Sequence, residues 1–152
     1  MSIASSPTDP VTIQAGIVAE FTPLADWDAK YAHIIALGKA VPPMDEALKT
    51  EDNIVRGCQS LVWLHATEHP EYKGRIQLQA DSDALIVKGL ISLLLRVYHN
   101  QTPATILATP PQFLTDLDLG KHLSMTRSNG LHAMLKQIQF YAMAFQAKAS
   151  LG

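Results

Sequence analysis

Few residues in this chain are equipped for covalent chemistry, and the most distinctive is its single cysteine, Cys58. It stands in the run Asn53-Ile54-Val55-Arg56-Gly57-Cys58-Gln59-Ser60-Leu61-Val62-Trp63. A thiolate is a nucleophile toward sulfur and carbon, and its reactivity follows its access and its charge state. Cys58 follows a glycine and precedes a run that reads as a β-strand, so it belongs at a loop–strand junction from which a thiol can reach out. Gly57 permits the backbone angles of a tight exposed turn. Arg56 is a nearby cation that would favour thiolate over thiol. With no second cysteine, Cys58 cannot close a disulfide within the chain or supply most of a metal site. Any chemistry it performs must be completed by a partner. The plainer reading is a small buried hydrophobe, which is how free cysteine often behaves.

The other chemistry-bearing residues are weaker signals. His65 and His69 are four apart among six histidines, but they straddle an expected strand end and turn, so no metal site is expected. There is no glycine-rich phosphate loop, since Lys88-Gly89 falls inside an expected helix, and no Gly-x-Ser-x-Gly elbow.

The elements that must hold Cys58 can be read in order. At 152 residues the chain is expected to be a single domain over 9–152 behind a disordered start at 1–8. Hydrophobic content of 47%, charged content of 17% and a formal charge of -2 are those of a globular protein with no general attraction to nucleic acid or acidic lipid. The N-terminus has no basic flank or apolar block of a signal peptide, and the most apolar stretch, 84–97, is too short to span a bilayer. One cysteine fits a reducing compartment, so a cytoplasmic location is expected.

Thr8-Asp9-Pro10 starts a helix whose apolar face is Ile13, Ile17 and Phe21. Asp26 caps a second helix bearing Trp27, Tyr31, Ile34 and Ile35, with Gly38 as its stop. Residues 41–56 read as a loop. Gln59 to Ala66 and Arg75 to Ala80 read as strands of an antiparallel hairpin. Asp81-Ser82-Asp83 offers caps for a buried helix from Ala84 to Tyr98, within which Lys88 is expected to snorkel to the surface. Short helices follow from Asn100 and from Pro110-Pro111 to Gly120, and Leu131, Met134, Leu135, Ile138, Ala142 and Phe145 stripe a last one. The class is α+β: a small antiparallel sheet, a hairpin or three strands, packed against helices from both ends of the chain.

Asn53-x-Val55-x-Gly57-Cys58-Gln59-Ser60-x-Val62-Trp63 resembles the signature of the SufE family of sulfur acceptors. The likeness continues through Asp81-Ser82-Asp83-Ala84-x-Ile86-Val87-Lys88-Gly89-Leu90 and Leu123-Ser124-x-x-Arg127-Ser128-x-Gly130-Leu131, and includes Trp27-x-x-Lys30-Tyr31-x-x-Ile34-Ile35-x-Leu37-Gly38. It spans roughly Asp9 to Phe145, and Ala80 departs from a glycine common among relatives.

The resemblance implies a SufE/IscU-like fold and a persulfide acceptor at Cys58. It implies as partners a SufS-like cysteine desulfurase that supplies sulfur and a SufB-like cluster scaffold that receives it. The chain would need no cofactor, since the PLP belongs to the desulfurase, and would act as a transfer partner and activator, not as a stand-alone enzyme. One cysteine is too few for a cluster scaffold. Arg127 and Asp83 match family positions near the acceptor loop or docking face. Taken alone, Arg127 is a solvated cation or an anion-stabilising group, and Asp83 is a helix N-cap. Asn53 and Gln59 are expected to hold the loop by side-chain hydrogen bonds. A homodimer is compatible with the sequence. The alternatives are a carrier for another desulfurase system and, from a different class, a cysteine-dependent hydrolase or peroxidase, which would need a base beside the sulfur. Because small thiols attack a persulfide, the resting loop is expected to tuck the sulfur against the apolar sheet–helix surface.

Overall fold

The computed structural model describes residues 9–151, so the expected disorder over 1–8 lies outside the described residues. Two helices, α1 (Pro10–Phe21) and α2 (Trp27–Lys39), lead through two 3-10 turns (Glu46–Leu48 and Glu51–Asn53) to strands β1 (Val62–Glu68) and β2 (Ile76–Ser82). Then come α3 (Leu85–Tyr98), the short α4 (Pro103–Ala108), α5 (Gln112–Asp116) and α6 (Leu119–His122), and the long α7 (Met125–Leu151). The fold is α+β, with one two-stranded antiparallel sheet.

The strands pair with Val62 opposite Ser82 and Leu64 opposite Ala80. That register places Val62, Leu64, Ala66, Ile76, Leu78 and Ala80 on one face, and all six are buried. The core joins this face to Leu90, Ile91 and Leu94 of α3 and to Leu131, Met134 and Ile138 of α7. Asp26 caps α2 as expected, its carboxylate accepting the Ala29 N–H at 2.9 Å.

Four details depart from the sequence reading. β1 begins at Val62, not Gln59, because Leu61 is drawn to the residues after β2: its N–H donates to the Asp83 carboxylate at 3.0 Å. Gly38 does not end α2, which runs on to Lys39. It is buried, and a Cβ there would lie 2.5 Å from the Leu85 carbonyl oxygen. Opposite it a Cβ on Gly89 would lie 2.0 Å from the Ile34 carbonyl oxygen, so the pair of glycines lets the α2 and α3 backbones touch. The helix expected to run to Gly120 is split at Asp118, whose φ is 56°. Lastly, Lys88 does not simply run out to the surface: partly exposed, it pairs with the buried Asp81 at 3.3 Å.

Candidate functional site

The segment carrying Cys58 is a loop between two fixed posts. On the upstream side Val55 donates its N–H to the Val62 carbonyl at 2.8 Å, and Ile54 bridges to Trp63. On the downstream side the Leu61 carbonyl accepts from Ser82 Oγ at 2.7 Å and from the Asp83 N–H at 3.2 Å. Asp83 therefore closes the loop base. It is not the N-cap of α3, because the cap position falls on Ala84, whose own N–H is taken by Ser82 Oγ at 3.1 Å. Asn53 holds the approach, donating from Nδ2 to the Leu48 carbonyl at 2.7 Å while its Oδ1 meets His65 Nδ1 at 3.3 Å.

Between the posts Gly57 takes φ 96°, in the region that an L side chain resists, and this turns Cys58 inward. The half-buried sulfur rests on α7: Sγ lies 3.6 Å from the Gly130 carbonyl oxygen. A Cβ on Gly130 would stand 3.4 Å from Sγ, and one on Gly57 3.3 Å from Ala133 Cβ. Gly130 and Ala133 are thus the seat of the loop tip. Sequence reasoning missed this seat. The available signal was Gly130 in the motif Ser128-x-Gly130-Leu131, just ahead of a helical stripe and with no break after it.

The sulfur borders a cavity of about 310 Å³. Its floor is apolar, built from Val62, Val87, Leu90, Leu94, Leu131 and Met134, and its rim carries Gln59, Ser60, Ser124, Thr126 and Arg127. Burial pushes the Cys58 thiol up from its ordinary pKa. Ser124 Oγ accepts the Arg127 N–H at 3.2 Å, which caps α7 and sets where Arg127 leaves the backbone. Arg127 is exposed at the cavity mouth, and among the described residues it faces no carboxylate partner.

Five of the seven candidates come together at this loop: Gly57, Cys58, Gln59 and Arg127 at the cavity or its hinge, with Asp83 at the base. Asn53 sits behind them on the upstream post. Arg56, expected to favour thiolate, extends into water toward Glu51 at 3.9 Å, and burial is what moves the thiol. His65 faces Asn53, and His69 packs edge-on to Tyr72 at 4.9 Å. Among the described residues no three His, Cys, Asp or Glu side chains are grouped as metal ligands, and no helix is long and apolar enough to cross a membrane. A larger hollow of about 600 Å³ at the β2 edge, lined by Leu37, Pro42, Met44 and Leu78, holds none of the candidates.

Fold and site together define a class: an α+β protein that presents a lone thiol on a glycine-hinged loop over a cavity with an apolar floor and a polar rim. The chain belongs to the SufE family, whose model, described as an Fe–S metabolism associated domain, matches residues 15–142. The fold is similar to that of a hypothetical protein from Thermus thermophilus solved in solution, with a TM-score of 0.72 and 22% identity, covering 89% of this chain and 96% of that one.

Proposed function

We propose that this protein accepts sulfur on Cys58 from a PLP-dependent, SufS-like cysteine desulfurase and passes it to a SufB-like scaffold for iron–sulfur cluster assembly. The observation that carries this reading is the Cys58 sulfur itself, seated on Gly130 beside a cavity with an apolar floor in a chain of the SufE family. The thiolate attacks the outer sulfur of the desulfurase's cysteine persulfide. The S–S bond there breaks, a new one forms on Cys58, and the desulfurase cysteine leaves as a thiolate that takes up a proton. No net oxidation occurs, and the PLP stays with the partner.

Burial gives the acceptor two properties. It keeps the resting thiol protonated and slow toward adventitious electrophiles, because desolvation penalises the thiolate. The apolar floor also gives an attached sulfur a place away from competing thiols. Delivery then requires the short loop between Val55 and Leu61 to leave the α7 seat during docking. Arg127 stands where it can meet the persulfide anion or a desulfurase carboxylate. A cysteine-dependent hydrolase would need a base at the sulfur, and among the described residues the cavity wall has neither histidine nor carboxylate.

The test is intact mass under non-reducing conditions after incubation with cysteine and a desulfurase. A gain of one sulfur atom that Cys58→Ser abolishes is the expected result. No gain, together with no rise in desulfurase turnover, overturns the reading.

A further inference from the structure

Asp81 is a buried carboxylate held between two lysines that belong to different parts of the molecule. It lies on β2 opposite Trp63 and is only 5% exposed. Oδ1 accepts the Ser82 N–H at 2.8 Å and faces Lys88 Nζ of α3 at 3.3 Å, while Oδ2 faces Lys49 Nζ at 3.0 Å. Burial pulls the carboxyl upward in pKa, and the bonds from Lys49, Ser82 and Lys88 outweigh it, so the group stays below its ordinary value and ionised. Lys49 also lies 5.4 Å over the Trp63 ring and meets Glu46 at 3.2 Å.

The two arms of this carboxylate differ in what they hold. Lys88 is fixed in a core helix. Lys49 begins the segment that runs through the turn Glu51–Asn53 to the upstream post of the Cys58 loop. That post is otherwise joined to β1 by the Val55 N–H and the Ile54–Trp63 bridge, with Asn53 reaching His65. Opening a buried ion pair is normally prohibitive because it strands a charge. Here it does not, because Asp81 keeps Lys88 and its backbone bond after Lys49 has left, and Lys49 can reach water. The arrangement suits a contact that must be made and broken repeatedly.

We propose that Lys49 is a releasable latch on the acceptor loop, with Asp81 as its anchor and Lys88 as the partner that keeps the anchor neutralised when the latch opens. Lys49 is a positioning residue: it acts on Cys58 through the upstream post and touches no reacting atom. The proposal rests on Cys58 being the sulfur acceptor, and it extends that reading to how the closed loop is held.

The experiment compares Lys49→Gln with Lys88→Gln, each of which removes one cation from the same carboxylate. Iodoacetamide alkylation of Cys58 needs no partner and reads loop opening directly. Lys49→Gln is expected to speed it about three- to tenfold, the scale of losing one partly exposed ion pair and a cation–π contact. Lys88→Gln should instead slow it by at least about twofold, since the tether is left in place and opening it would then strand the Asp81 charge. Lys49→Arg should restore the slow rate. With a desulfurase, Lys49→Gln should lower the carrier concentration giving half-maximal stimulation by the same factor and leave the maximum unchanged, because fewer molecules are closed. Equal effects of the two glutamine variants, or none from Lys49→Gln, would overturn the latch. Urea midpoints of both variants show whether the chain is folded when the rates are read. If Lys49→Gln proves unfolded, Lys49→Met, which keeps the apolar stem against Trp63, takes its place under the same criteria. Loss of the sulfur gain in wild-type protein, with the alkylation contrast intact, would remove the acceptor reading and leave the latch standing.

Discussion

Replacing Gly57 by alanine should open the Cys58 loop without unfolding the protein. The residue sits at φ 96°, and an added Cβ would approach Ala133 Cβ to 3.3 Å. Left-handed backbone costs an L residue roughly 1–2 kcal/mol, and the contact with α7 adds to it. That strain exists only while the loop tip is seated. Once the tip leaves α7 the alanine relaxes to an ordinary conformation, with the posts at Val55 and Leu61 still bonded to the sheet. The open population should therefore rise by about five- to thirtyfold, the ratio that 1–2 kcal/mol sets. Iodoacetamide alkylation of Cys58 should accelerate by that factor. Its pH midpoint should also fall, because burial holds the seated thiol above its ordinary pKa and opening removes the burial. The urea midpoint should move by less than the strain, since local opening is a cheaper escape than global unfolding. An unchanged alkylation rate with the whole strain appearing in global stability would refute the argument, because the loop would then be one cooperative unit with the core.

Three further perturbations test the frame around the loop. Gly89→Ala forces a Cβ to 2.0 Å from the Ile34 carbonyl oxygen and should destabilise by about 3 kcal/mol or more, read as a lowered urea midpoint. The buried Gln14 uses both ends of its amide, accepting the Phe113 N–H at 2.9 Å and donating to the Pro110 carbonyl at 3.1 Å. Gln14→Leu should therefore cost about 1–3 kcal/mol by leaving the Phe113 N–H unpaired, while the Pro110 carbonyl keeps the Gln112 N–H at 2.9 Å, in the same urea assay. Glu20 joins α1 to α2 and α3 through His33 at 2.6 Å and Arg96 at 3.1 Å. Burial pulls its carboxyl up, but Arg96 and His33 outweigh that and hold it below its ordinary 4.5. A depressed carboxyl stabilises the fold above the unfolded pKa, and the effect is lost as pH falls through the folded one. The urea-midpoint difference between wild type and Glu20→Gln should thus be full at about pH 6–7, begin to shrink near 4.5 and be lost at lower pH.

What can be read from the chain alone is what depends on neighbours in sequence. The Asp26 cap, the alternating strand at 76–80 and the stripe of α7 each need only a local period or one oxygen three residues away. Gly57-Cys58 is legible for the same reason, since a glycine beside a thiol before a strand already marks a turn. Asp81-Ser82-Asp83 marks the limit of such reading. Three capping-type residues before a helix suggest an N-cap, yet Ser82 and Asp83 bond Leu61 and Asp81 takes two lysines. Propensity cannot choose between these uses, because both satisfy the same oxygens and only the distant partner decides. Gly38 likewise resembles a helix stop until Gly89 is set against it, and Gly130, though part of the family motif, shows its purpose only when Cys58 rests on it. The unread residues share one property: each is matched to a partner on another element, far away in sequence, and together they fix where the legible thiol points. A motif thus identifies the reactive atom, whereas its shelter and its release are set by pairings across β1, β2, α3 and α7.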